Sequence, residues 1–217
     1  MSSPACYSAA FSRGKTTCYE SGVRVPLLLD WPGVSDPQVS QALISAVDIA
    51  PTVFDADGID TPEIVQGRSL RPVVSSSPST SWRDTLVSEF HFHGAGSFYP
   101  TRAITDGRYK LIHRLPGRVG KPIITVDGDP SSRELADKLP ADHPSHPLFE
   151  KLADPPQWEM FDLSADPYEL NDLFGEATVA EHQRRLQKSL EAWQAETDDP
   201  FVDRAFRNDV AKRFQPQ

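Results

Sequence analysis

A lysine and two histidines are the side chains here whose types and spacing could do chemistry. Lys15 stands in the polar loop Gly14-Lys15-Thr16-Thr17. A lysine there is either a solvated loop residue or a fixed cation facing a tetrahedral oxyanion, where charge stabilisation in a partly dry site can be the largest catalytic contribution. It is not the lysine of a phosphate-binding P-loop. The first glycine of that pattern is missing, and Lys15 precedes a strand-like run instead of opening a helix after one. His91 and His93 lie two residues apart in a stretch that reads as a strand, so both rings emerge on the same face. Such a pair can pack, contact a substrate or, given a third ligand and an open position, hold a metal; nothing in the sequence identifies that third ligand.

The other polar residues read more plainly. His113 shares a strand face with Tyr109 and Leu111 and reads as a packed, hydrogen-bonded histidine, whereas His143 and His146 fall in a proline-rich stretch and carry no signal. The spacing of Asp162, Asp166 and Glu169 fits turn and cap chemistry better than an acid/base pair. Arg24 and Arg68 could clamp a carboxylate or phosphate but are as well explained by ion pairs within the protein. No Gly-x-Ser-x-Gly elbow suggests a serine hydrolase.

The elements that must position these groups change character along the chain. Val23 to Asp30 is a short apolar run suited to a strand covered on both faces, with Pro26 placing it near an edge. A helix is expected from Asp48 to Gly58, with Pro51 in its first turn. After the Ser/Pro-rich linker 75–81, strands are expected at Thr85–Phe92, Thr101–Thr105, Arg108–Leu115 and Trp158–Leu163, the middle two joined at Asp106-Gly107. Eight prolines between Pro116 and Pro156 mark a long irregular excursion, because regular structure there would be stopped repeatedly. Asp166-Pro167-Tyr168-Glu169 reads as the start of a short helix. A longer helix is expected over Ala177–Glu196, with Val179, Leu186, Leu190 and Trp193 on the stripe that docks on the sheet.

Bulk properties narrow the partners. The 217 residues, 38% hydrophobic, suffice for one large or two small domains. A net charge of -9 disfavours a nonspecific grip on nucleic acid. No apolar stretch is long enough to span a membrane, and the first residues lack the pattern of a signal peptide, so the compartment is not readable. Cys6 and Cys18 cannot build a disulfide framework or a four-cysteine zinc site and read as ordinary thiols.

Four stretches in order, Gly14-Lys15-Thr-Thr-Cys-Tyr-Glu20-Ser-Gly22-Val-Arg-Val-Pro26, Ser45-Ala-Val-Asp48-Ile-Ala-Pro51-Thr52, Gln66-Gly67-Arg68-Ser69-Leu70 and Trp158-Glu-Met-Phe-Asp162-Leu-Ser-Ala-Asp166-Pro167-Tyr-Glu169, resemble the C-terminal part of a sulfatase. Phe98-Tyr99-Pro100-Thr-Arg102, Arg108-Tyr-Lys-Leu-Ile-His113 and Trp193-Gln-Ala-Glu196-Thr-Asp-Asp199-Pro200-Phe are most similar to the sulfamidase (N-sulfoglucosamine sulfohydrolase) branch of that family. The resemblance implies an α/β fold: residues 1–78 as the end of an alkaline-phosphatase-like sulfatase α/β domain, then 79–217 as a small antiparallel sheet with a C-terminal helix.

It also implies hydrolysis of N- or O-sulfate groups on glycosaminoglycan-type sugars such as heparan sulfate, by a formylglycine made from cysteine and a calcium ion held by Asp and Asn or His. Lys15 matches the family's cationic sulfate contact, and His93, with His91 beside it, matches a histidine near the substrate pocket. The chain departs from the pattern at the reaction centre: neither Cys6 nor Cys18 begins the Cys-x-Pro/Ala-x-Arg motif that yields the formylglycine, and Cys6-Tyr7-Ser8 stands where an Asp-Asn-Gly metal motif is expected. The expectation is therefore a sulfatase C-terminal portion, inactive alone, whose nucleophile and calcium ligands belong to an N-terminal half, with a sulfated sugar as partner of the intact parent. Relatives are often exported or lysosomal. A noncatalytic module that binds sulfated glycans is the alternative from a different class, and a phosphohydrolase relative is a third reading.

Overall fold

The computed structural model describes residues 14, 16–75, 82–92, 97–120, 138, 140, 142, 151 and 154–214. They form two compact units, one joining residues up to Val25 with those from Val87 onward, the other running Pro26–Leu86. This partition by contact differs from the 1–78 and 79–217 division suggested by the motifs, because the segment before Pro26 packs with the sheet.

The sheet of the first unit has strands β1 (Leu86–Phe90), β2 (Thr101–Thr105), β3 (Tyr109–Arg114) and β4 (Trp158–Asp162), side by side in that order. β2 pairs antiparallel with β3, and β3 with β4, in a register that sets Ile104 opposite Leu111 and Leu111 opposite Met160. β2 has the expected bounds, and the other three strands fall within two residues of theirs. The β2–β3 turn is centred on Gly107-Arg108, since Asp106 N–H donates to Tyr109 O at 3.1 Å. Gly107 takes φ 91°, the positive value that a two-residue hairpin turn requires at its first central position.

Both faces of the sheet are covered, and the two covers differ. Ile104, Tyr109, Leu111 and Met160 point to one side and pack on Val179, Leu186 and Leu190, with Trp193 alongside. The last three lie on α4 (Ala180–Glu196), which a single 3₁₀ turn at Ala177–Val179 leads into. Successive strand residues alternate faces, so Ala103, Lys110, Ile112, Arg114 and Phe161 point the other way. There Ala103, Ile112 and Phe161 meet Cys18 and Tyr19, just ahead of the helical turn α1 (Glu20–Val23). A further helix, α5 (Arg204–Lys212), follows; the Asp203 carboxylate caps it by accepting the Ala205 N–H at 2.7 Å.

The second unit is built on α2 (Ile49–Ala56), entered through a 3₁₀ turn at Ala46–Asp48, with Pro51 in the first turn and Gly58 at φ 69° just past its end. The short helix α3 (Arg71–Val74) ends the described part of the unit before residue 82.

Two expected elements are absent. No strand forms at Val23–Asp30: the chain leaves α1 at Arg24 and takes no regular structure through Asp30, with Leu28 97% exposed and no sheet partner among the described residues. Hydrophobicity alone does not make a strand when no neighbouring strand is there to bond it. Nor does Asp166 open a helix. Residues 167–168 form a turn, and Glu169 adopts φ 57°, with its carboxylate in the sheet's second cover, where it accepts the Glu20 N–H.

Leu190 is 1% exposed at the centre of the α4 interface, so Leu190→Ala is expected to lower the unfolding free energy by about 2–5 kcal/mol. Urea titration followed by tryptophan fluorescence measures this, and a loss under about 1 kcal/mol would mean that α4 is not the main cover of that face.

Candidate functional site

The turn of Gly14, Thr16 and Thr17 is tied to the sheet by the residues that follow it. Thr17 Oγ1 donates to Gly14 O at 2.8 Å, and Thr16 takes φ 75°, so the chain turns back on itself. The turn lies against α1: a Cβ on Gly22 would fall 2.6 Å from both Gly14 O and Thr17 O. Next along the chain, Tyr19 and Glu20 reach buried cations of the sheet. Tyr19 Oη donates to Glu159 Oε2 at 2.7 Å, and Arg114 Nη2 is 2.9 Å from Tyr19 Oη and 2.7 Å from Glu159 Oε2. Lys110 Nζ lies 2.9 Å from Glu20 Oε1 and 3.3 Å from Glu169 Oε1, while the Glu20 N–H donates to Glu169 Oε2 at 2.6 Å. Two ion-paired nodes thus hold the segment that follows the loop.

Burial raises the pKa of Glu169, with the attraction of Lys110 opposing it. Cys18, wholly buried between the nodes, is pushed up to about 11 by the same loss of solvent, which keeps it a thiol at neutral pH.

A second cluster surrounds His91, one residue past β1. Arg102, 1% exposed in β2, donates from Nε and Nη2 to the two oxygens of Asp199 at 2.9 and 2.7 Å, and its Nη2 is 3.3 Å from Glu89. Arg102 Nη1 lies 3.3 Å from His91 Nδ1, and His91 Nε2 lies 3.5 Å from Glu89 Oε2. Because a guanidinium can only donate, this arrangement makes Nδ1 the acceptor and leaves the proton on Nε2, toward Glu89. The imidazole stacks on Phe201 at 4.0 Å between centroids. Burial alone would raise the Asp199 pKa, but the Arg102 hydrogen bonds and the Phe201 N–H outweigh it and hold it low. Both His91 nitrogens therefore face protein groups, and its ring serves as a wall of this cluster.

Lys15 and His93, expected to face a substrate, lie outside the described residues, as do Cys6, His143 and His146. Gly14 and Thr16, on either side of Lys15, lie in the turn held by α1. His113 is packed as expected, with its ring stacked on Trp158 at 3.6 Å. Burial, then the nearby charges of Arg207 and Arg102, push its pKa down to about 4, so it is neutral near pH 7. Asp162 and Asp166 accept backbone N–H groups of Ser164 and Asn171, as turn residues do. Arg24 is exposed near Glu20, and the Arg68 backbone N–H donates to Asp48.

Sequence reasoning missed the roles of Arg102, Lys110 and Glu169. An arginine or lysine within the otherwise apolar strands Thr101–Thr105 and Tyr109–Arg114 was the available signal, since a buried cation implies a buried partner.

The buried carboxylates among the described residues are already committed to cations. Among the described residues no three His, Cys, Asp or Glu side chains gather in a way that could hold a metal ion. The carboxylates of Asp48, Glu159, Glu169 and Asp199 are occupied by Arg83, Arg114, Lys110 and Arg102.

The sheet thus has one face covered by a helix and the other clamped by ion pairs to the segment Tyr19–Glu20. The family described as N-sulphoglucosamine sulphohydrolase, C-terminal, matches residues 12–139, more than half of the chain, and the chain belongs to it. Human N-sulphoglucosamine sulphohydrolase is 29% identical over 95% of this chain and 44% of its own length. The N-acetylglucosamine-6-O-sulfatase of Bacteroides thetaiotaomicron is 29% identical over 87% of this chain and 28% of its own length. The chain thus spans less than half the length of the curated relatives it matches. A solved 2-O GAG sulfatase shares the fold, with a TM-score of 0.50 at 20% identity, over 74% of this chain and 28% of that one.

Two predictions follow from the clamps. Gly22→Ala should displace the Gly14–Thr17 turn and cost about 1–3 kcal/mol, seen as a lower urea midpoint with faster amide exchange across residues 14–22. Glu169 has a pKa above that of an unfolded glutamate, so its contribution is fully present below the unfolded value and is lost as pH rises through the folded one. Wild type should therefore gain stability relative to Glu169→Gln as pH falls from neutral toward the ordinary glutamate range. Unfolding free energies measured across that range test the sign, and a difference that grows with rising pH would refute it.

Proposed function

We propose that this chain is the C-terminal portion of a sulfatase-family hydrolase of the sulfamidase type, acting on N- or O-sulfated amino sugars when completed by a segment that brings the nucleophile and the divalent ion. The observation that carries the reading is the family match over residues 12–139 in a chain where neither cysteine has the sequence context of a formylglycine precursor. Cys18 adds to it, since a buried thiol packed on Ile112 and Phe161 is poorly placed for modification or attack.

In this reading Lys15 stabilises charge on the sulfuryl oxygens. A cation held in place before the reaction would need little reorganisation for that interaction. His93 contacts the sugar, and His91 supports it from the wall formed with Arg102 and Phe201. Calcium, bound elsewhere in the completed enzyme, would polarise the sulfuryl group.

The purified chain, incubated with calcium and either a chromogenic aryl sulfate or N-sulfoglucosamine, should show no turnover above buffer; clear turnover would refute the division of labour. Equilibrium dialysis against N-sulfoglucosamine addresses the role of Lys15. Weak binding reduced in Lys15→Ala supports it, whereas tight binding without turnover favours a noncatalytic glycan-binding module.

A further inference from the structure

α5 is a basic helix in an acidic chain. Residues 204–214 hold Arg204, Arg207, Lys212 and Arg213 against the single acid Asp209, in a protein of net charge -9. Arg207 is turned inward, where its guanidinium donates to the carbonyls of Pro116, Phe201 and Val202. Arg204, Lys212 and Arg213 face water. Asp209 is the ion-pair partner of both Lys212 and Arg213, at 3.8 and 3.6 Å, and those two cations are 71% and 73% exposed. Pairs so long and so exposed contribute little, and one carboxylate cannot neutralise two cations.

The end of this helix lies against open aromatic surface. Phe92, 51% exposed, packs on Phe214 at 5.2 Å between centroids, and Phe214 stacks at 5.7 Å on Phe98, which is 0% exposed. Phe98 also meets Phe201, the ring on which His91 is stacked. Phe92 and its sequence neighbour His91 therefore rest on one ladder of rings, which fixes an open phenyl ring beside the wall of the candidate site. A large ring left half in water while supported from beneath is a contact surface and not core. An aromatic face suits the apolar C–H side of a pyranose, whereas lysine and arginine suit its anionic substituents. A nucleic acid fits less well, because its long run of phosphates would also meet the net negative charge of the chain.

We propose that Phe92, with Lys212 and Arg213 just ahead of Phe214, forms a second subsite that takes a neighbouring anionic sugar, so that the chain grips a sulfated oligosaccharide better than a lone amino sugar. The proposal rests on the functional reading above and adds the contact made by the sugar next to the one assigned to Lys15 and His93.

Calorimetric titration of the purified chain compares N-sulfoglucosamine with a heparin-derived tetrasaccharide. The tetrasaccharide should bind about tenfold tighter, because the second contact is intramolecular once the first is made. The double variant Lys212→Gln, Arg213→Gln should remove that advantage and flatten its dependence on salt, with affinity for N-sulfoglucosamine unchanged. Phe92→Ala should reduce the advantage and leave its salt dependence as it was. Lys188→Gln, on the exposed side of α4, should change neither affinity. Absence of tetrasaccharide binding, or an advantage indifferent to both the double variant and Phe92→Ala, would overturn the proposal. So would a single-stranded DNA of the same charge that binds as tightly through Lys212 and Arg213, which assigns the surface to phosphate backbones. Tetrasaccharide binding that falls in the double variant but is indifferent to Lys15→Ala supports the subsite while counting against the functional reading; the reverse pattern sinks the subsite and leaves that reading standing.

Discussion

Burying Lys110 and Arg114 inside a four-stranded sheet is the constraint on which the rest of the first unit depends. A cation removed from water is tolerable only with close opposite charge and its donors satisfied. Strand neighbours supply part of this: Glu159, opposite Ile112 on β4, takes Arg114. The remainder comes from far away in sequence, through Tyr19, Glu20 and Glu169. The sheet's second face is therefore closed by electrostatic partners as much as by apolar area, in contrast to the first, where α4 buries leucines.

This division also sets how the turn of Gly14, Thr16 and Thr17, just before Tyr19, is held. Its anchors are on the sheet, so its geometry does not rely on the loop's own few contacts. The Arg102–Asp199 pair plays the corresponding role on the other face, where the turn after α4 is drawn over β1 and β2 and Phe201 is laid against His91.

Much of the sheet was legible in the sequence because alternation, turn glycines and the α4 stripe are local signals that agree with the tertiary outcome. The expected stripe Val179, Leu186, Leu190 and Trp193 is the one that packs. What failed was whatever depended on distant partners. Val23–Asp30 has strand composition but no strand beside it. Asp166-Pro167-Tyr168-Glu169 has the letters of a helix start, yet the buried charge of Lys110 draws Glu169 away. The residues of α2 gave the helix correctly, but which of its sides is buried could not be read, because Asp48 and Asp55 are claimed by arginines that no periodicity reveals. Of the candidate site, the placing of His91 could not be read, since it is set by Arg102 and Phe201 from other elements.

The bond between the Glu20 amide and Glu169 joins residues 149 positions apart, and the one between Tyr19 and Glu159 spans 140. Closing loops of that size carries a large entropic cost before any contact rewards it, and topologies rich in such contacts fold slowly. During synthesis Tyr19 and Glu20 emerge 140 and 149 residues ahead of the strand and turn positions that receive them. The second face of the sheet therefore cannot close before β4 and the turn at Glu169 have been made, and until then Cys18 and Ile112 stay open to water and to neighbouring chains.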